Sequence, residues 1–222
     1  MAARLPVWDA PVRIFHWALA ALVVFSYTTG KLGGDWLPWH MRSGYCILAL
    51  LLFRLVWGIV GSDTARFASF VRGPRAALAY TRALLARRPA RFPGHNPIGG
   101  WMVLAMLAAL MVQAGSGLFA DDEIATQGPL AVKVSNALVA RMTRIHDLNQ
   151  WVIVGAVALH VVAIAIYQWG LRMDLIGPMF HGSAAIDAPV QPRRASNALA
   201  AVVLATAAAG VYWLVAVYPV RP

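Results

Sequence analysis

Three stretches of this chain, 98–119, 148–171 and 198–220, contain no Asp, Glu, Lys or Arg. Each matches the ~20 residues with which a helix crosses the hydrocarbon core of a bilayer. Lipid offers no partner to an unpaired backbone N–H or carbonyl, so an apolar segment of this length must bond to itself as a helix. A fourth stretch, 14–30, is equally free of charge, and a fifth, 43–60, carries one charged residue, Arg54. The chain is therefore expected to be an all-α integral membrane protein with helices at about 14–30, 41–60, 98–119, 147–171 and 198–220. Composition agrees, with 60% hydrophobic and 13% charged residues against about 45–50% and 25% in soluble domains. A purely soluble enzyme is excluded.

The charges are lopsided, 19 Lys and Arg against 9 Asp and Glu, and basic excess points to nucleic acid or to a membrane surface. Their placement between apolar windows selects the membrane and argues against nucleic acid. Arg4, Arg13, Arg66, Arg72, Arg75, Arg82, Arg87, Arg88, Arg91, Arg172, Arg193 and Arg194 fall on one side of a five-crossing chain. Lys31, Arg42, Lys133, Arg141, Arg144 and Arg221 fall on the other. Basic residues in short loops stay cytoplasmic, which predicts a cytoplasmic N-terminus and a periplasmic C-terminus in a bacterial inner membrane. Segment 5–13, with its Pro and Trp residues, does not resemble a cleaved leader. Residues 75–88, opened by Pro74, read as an amphipathic helix lying at the interface. Asp121, Asp122 and Glu123 form an acidic cluster on the outer side, either a docking patch for a basic partner or a solvated loop. The single Cys46 rules out an internal disulfide and a Cys-x-x-Cys-His haem attachment, and reads as a packing residue.

Six histidines remain, and an ionisable group in a membrane span is a functional candidate by default. His146 and His160 are fourteen residues apart, which on a helix leaves them only ~40° out of line and roughly 21 Å apart along the axis. His16 starts the first helix and His40 the second, which runs the opposite way, so His16 matches the depth of His160 and His40 that of His146. Two imidazoles facing each other across an apolar bundle are how a protein holds a b-type haem by both axial positions. Arg54 repeats the fourteen-residue interval from His40. It is placed to meet a propionate of the inner haem or to snorkel to the headgroups, and Arg42 to assist the outer haem or sit at the interface. Gly44 and Gly155 leave room for a flat ring or simply for helix packing. Zinc fits less well, because the pairs are far apart and form no local Cys/His cluster. His95 reads as a loop or capping residue, with a quinone or proton path as the alternative, and His181 as a linker residue.

With these residues assembled, the chain resembles the bacterial cytochrome b561 family, in the branch related to b-type cytochrome subunits of nickel-dependent hydrogenases. The likeness rests on Val7-Trp8-Asp9-Ala10-Pro11-Val12-Arg13-Ile14-Phe15-His16-Trp17, on His40 through Gly44 to Arg54, and on His146-Asp147 through Leu159-His160. It implies a di-haem membrane domain over residues 1–182, a linker at 183–197 and an additional C-terminal helix at 198–220. It further implies two b haems, the inner held by His16 and His160 and the outer by His40 and His146. Electrons would pass between the quinone pool and a periplasmic redox partner, either a c-type cytochrome or a hydrogenase-like enzyme, in a homo-oligomer or as a complex subunit. No bond-making catalytic residue is expected. The residues alone leave open a transporter or metal-ion permease with intramembrane histidines, and a membrane anchor for a redox enzyme.

Overall fold

The structure, a computed structural model, describes residues 4–88, 90, 92, 94–185 and 192–219. Expectations concerning Arg91, Val220, Arg221 and linker residues 186–191 lie outside the described residues. In chain order the elements are β1 Arg4–Pro6, α1 Ala10–Leu32, α2 Leu37–Val60, α3 Phe67–Phe70, α4 Pro74–Leu85, α5 Pro97–Gly117, α6 Asn136–Ala165, α7 Ile176–His181, β2 Ser183–Ala185 and α8 Asn197–Tyr212. Helices α6 and α8 run on into single π-helical turns, Ile166–Gly170 and Trp213–Val217. Five of these helices are long and apolar enough to cross a membrane: α1, α2, α5, α6 and α8. Among the described residues the fold is all-α apart from an antiparallel two-stranded pairing, β1 with β2, and an isolated bridge between Asp121 and Gln127.

Two compact units divide the chain, one gathering Met1–Ile14, Leu55–Met106 and Ala156–Ala200, the other Phe15–Arg54, Leu107–Gly155 and Ala201–Pro222. Successive connections alternate between them: the α1–α2 and α5–α6 connections belong to the second unit, the α2–α5 and α6–α8 connections to the first. In the second unit Leu48 and Ala49 of α2 pack with Leu118, Leu130 and Val211. Half of the apolar window of α2 is buried inside the fold, against 11% of that of α8. The α2 helix is thus the core helix, while α8 spends its Ala- and Val-rich surface outward. Cys46 is exposed on α2 and packs no interior, contrary to the sequence expectation.

Helix α1 begins at Ala10 because Asp9 caps it. One carboxylate oxygen of Asp9 accepts the N–H of Val12 at 2.8 Å, as an N-cap does. The other accepts the indole N–H of Trp57 at 3.1 Å. Both residues are buried, Trp57 completely, so the acid at the head of one membrane helix satisfies a polar atom at the tail of another. Helix α6 starts at Asn136 rather than at 147, with the Ser135 hydroxyl and carbonyl accepting from Leu138 and the carbonyl also from Val139. Its first turns carry Arg141 and Arg144, so hydropathy alone stops short of a helix that continues past the apolar layer.

Before and into the expected linker at 183–197 the chain forms α7 and β2. Gly182 ends α7 at φ +83°, a left-handed conformation that a side chain disfavours, and a Cβ there would lie 2.8 Å from the Trp8 carbonyl oxygen. Its own carbonyl accepts the N–H groups of Val7 and Trp8. The expected interfacial helix is α4, its Leu78 and Leu85 exposed and its Tyr80 buried. Tyr80 accepts a hydrogen bond from the Tyr167 hydroxyl at 3.2 Å. Burial and that neighbour hold its phenol well above the ordinary value.

Replacing Asp9 by Ala removes the cap and the carboxylate that accepts the buried Trp57 N–H, at an expected cost of about 2–4 kcal/mol. Thermal unfolding of the detergent-solubilised protein checks this; a midpoint indistinguishable from the parent's would contradict it.

Candidate functional site

The second unit brings His40 and His146 together. Their ring centroids lie 5.9 Å apart with the planes at 87°. A metal–imidazole bond of about 2 Å on each side, added to the half-widths of two rings, comes to about 6 Å. The separation therefore suits one ion held between them.

Both rings are oriented by the helix next door in the same way. His40, in the first turns of α2, gives its Nδ1–H to the Ser26 carbonyl of α1 at 2.8 Å, with the Ser26 hydroxyl 3.2 Å from the same nitrogen. His146 of α6 gives its Nδ1–H to the Gln113 carbonyl of α5 at 2.9 Å, with the Ser116 hydroxyl at 3.4 Å. A carbonyl only accepts, so each Nδ1 carries a proton, and in a neutral imidazole that arrangement leaves Nε2 with the lone pair that can bind a metal. Each ring also lies against a glycine of that helix. A Cβ at Gly30 would come within 2.8 Å of His40 Nδ1, and one at Gly117 within 2.9 Å of His146 Cε1. The Gln113 amide adds a clasp, Nε2 donating to the His146 carbonyl at 3.1 Å and Oε1 accepting from Asn149 at 2.8 Å.

This donor set fits a haem held by two imidazoles: two rings anchored through Nδ1, perpendicular and at metal-bridging distance. A Cβ at Gly44 or at Gly155 would meet no protein atom within 4 Å, which leaves space beside α2 and α6 for a flat group. Among the described residues no three His, Cys, Asp or Glu side chains converge as a metal-ion cluster.

His16 sits on α1 with its ring edge-on to Trp17, centroids 4.9 Å apart. Arg54 is 3% exposed; its guanidinium lies inside the fold and does not snorkel to the surface. Both belong to the second unit, while His160, half-buried on α6, belongs to the first. Helix α6 is uninterrupted from Asn136 to Ala165, so the interval between His146 and His160 is helical throughout. Gly30 stands at the same interval from His16 on α1 as Arg54 does from His40 on α2. That spacing was the available sign of the Gly30 packing position. Arg42 stacks over the Trp39 ring at 5.0 Å.

His95 lies between two aromatic rings of the first unit, 4.7 Å from Trp8 and 4.5 Å from Phe70. The capping is done by Asn96, whose Oδ1 accepts the Gly99 N–H and whose Nδ2 donates to the Tyr167 hydroxyl. His181 is exposed and its Nδ1 accepts from the backbone of Ser183. In the acidic cluster Asp122 accepts backbone N–H groups from Ile124, Ala125 and Thr126. The bond from Thr126, followed by that from Ile124, keeps its carboxyl below the ordinary value.

A multi-pass all-α membrane protein with histidines at these positions is of the b-type cytochrome class. The chain belongs to the prokaryotic cytochrome b561 family, whose profile matches residues 7–182. It is 26% identical to a probable Ni/Fe-hydrogenase B-type cytochrome subunit of Azotobacter chroococcum mcd 1, over 79% of this chain and 86% of that one. It is also 26% identical to the protein of that name from Bradyrhizobium diazoefficiens, over 79% and 84%, and 23% to that of Cupriavidus necator, over 77% and 80%. No solved structure matches it. The protein is a haem-bearing electron-transport component of a membrane.

Gly117→Ala pushes the His146 ring off the Gln113 carbonyl and is expected to alter the α-band of the reduced haem spectrum; an unchanged band would show that this glycine does not set the ring. The depressed Asp122 carboxyl holds the 121–127 loop at pH above its ordinary value of 3.8, and that support is lost as pH falls below it. Amide exchange at Thr126, corrected for its intrinsic pH dependence, should accelerate there, and the Asp122→Asn variant should lack the effect.

Proposed function

We propose that the chain carries two b haems, one between His40 and His146 and one between His16 and His160. Through them it would pass electrons between the quinone pool and a redox partner on the periplasmic side of a bacterial inner membrane. The observation that carries this reading is the His40–His146 pair, at 5.9 Å with both Nδ1 atoms engaged by carbonyls. The second pair rests on the repeated fourteen-residue interval in continuous helices. A haem held by these histidines would supply one-electron transfer. The chain's contribution is to fix ring tautomer and orientation through Ser26 and Gln113, and to exclude water with apolar helix surfaces. Arg54, buried on α2, would meet a propionate of the inner haem, and Arg42 one of the outer haem. The relatives' name supports a partner of the nickel–iron hydrogenase kind, with a c-type cytochrome as the other candidate. The excess of basic residues in the connections of the first unit supports a cytoplasmic N-terminus and a periplasmic C-terminus. The di-haem domain is taken as 1–182, followed by the linker 183–197 and the added helix 198–220.

A pyridine haemochrome assay on the purified protein should count two b haems per chain, and His146→Ala and His160→Ala should each leave one. Two haems in either variant, or one in the parent, would overturn the pairing.

A further inference from the structure

In the first unit a cavity of about 300 Å³ opens between the start of α1 and the start of α8, lined by Trp8, Asp9, Arg13, Arg194, Ser196 and Asn197 among others. No part of the histidine site uses it. Two of its lining residues are cationic. Arg13 is anchored by an Nη1–H bond to the Phe180 carbonyl, while its buried Nε makes no hydrogen bond among the described residues. Arg194 is exposed on the opposite wall. The one acid, Asp9, has both oxygens committed, to Val12 and to Trp57. Asp63 nearby is likewise engaged, by the Arg66 guanidinium and by the Arg193 N–H.

The wall that carries Arg194 is fixed in place. The Arg193 carbonyl accepts the Asp63 N–H, the Arg193 N–H goes to the Asp63 carboxylate, and Ala195 donates to the Ser62 hydroxyl at 3.0 Å. Ser196 caps α8, its hydroxyl accepting from Leu199 and its carbonyl from Ala200. The N–H groups of Asn197 and Ala198, in the first turn, have no carbonyl one turn back to bond within the helix. The anchored Arg13 guanidinium and the Arg194 guanidinium on the facing wall, beside such donors, favour a tetrahedral oxyanion. Two arginines against one aspartate leave a single net positive charge, which matches a phosphodiester. Arg13 and Asn197 each stand in the first turn of a membrane-crossing helix, where the chain meets the headgroup layer, and Trp8 is an aromatic of the kind enriched there.

We propose that this cavity binds the phosphate group of an anionic ligand, supplied by a phospholipid headgroup or by phosphate in solution. The test uses the haem-loaded full chain in detergent, with native mass spectrometry to count adducts. The arms are phosphatidylglycerol, a diacylglycerol of the same tails, and millimolar inorganic phosphate as competitor. One phosphatidylglycerol per chain is expected and the diacylglycerol is not retained. Arg194→Gln should weaken retention roughly tenfold, the value of one charge-assisted contact. No displacement by inorganic phosphate assigns the site to lipid; displacement that Arg194→Gln also abolishes assigns it to the free ion. Equal retention in the parent and Arg194→Gln, or equal retention of the diacylglycerol, overturns the proposal. Arg13→Gln is a second probe; if the loss of its bond to Phe180 prevents folding, seen as loss of the haem spectrum, the exposed Arg194 decides alone. Because the readout is lipid retention and not electron transfer, it stands or falls independently of the haem pairing.

Discussion

Hydrocarbon offers no hydrogen-bond partner, and every polar group carried into it must be satisfied by the chain itself. This constraint accounts for the internal organisation of the helices. The hydroxyls of Thr28, Thr29, Ser116 and Thr143 turn back to carbonyls of their own helix. Asn149 reaches across to α5, where it meets the Ala109 carbonyl and Gln113. Histidine is the residue for which this solution does more than remove a penalty. Once Nδ1–H is spent on a neighbouring carbonyl, the ring can no longer turn freely, and its basic nitrogen points the opposite way. Satisfying the donor and fixing the ring are the same act.

The same arrangement occurs twice, with Ser26 and Gly30 serving His40 and with Gln113, Ser116 and Gly117 serving His146. In each case the preceding membrane helix supplies the carbonyl, a hydroxyl and a glycine, while the following helix supplies the imidazole. The glycine matters because a ring that donates to backbone must come close to it, and a methyl group at either position would lie under 3 Å from a ring atom. Helix α5 thus belongs to the site although it contributes no ligand.

The first unit is held by different means. Asp9 and Trp57 join α1 to α2, and Tyr80, Tyr167 and Asn96 join the interfacial helix to α5 and the tail of α6. The π-helical turn at Ile166–Gly170 contains Tyr167, and such turns let a helix re-aim a side chain near its end. These contacts lie among polar and aromatic residues spread over distant parts of the chain. Little of that was legible beforehand, because hydropathy and charge report the solvent a segment prefers and not the partner its polar atoms find. The β1–β2 pairing illustrates this: the three residues just before and the three just after the matched region 7–182 make it, and Ser-Ala-Ala carries no strand signal of its own.

What the sequence by itself determined is the solvent of each segment and the interval of its histidines. Charge-free windows specify membrane helices, and a fourteen-residue spacing returns to nearly the same helical face whatever surrounds it. Those facts are local, and they identified His16, His40, His146, His160 and Arg54 as the residues of interest. Tertiary structure alone decided which nitrogen of His40 and His146 carries the proton, that Arg54 lies inside the fold, that α6 begins at Asn136, and that Asn96 and not His95 caps α5. Each of these depends on a partner far away in the chain, through a hydrogen bond or a packing contact a few ångströms long, and no periodicity within one helix encodes where another helix will put its carbonyls.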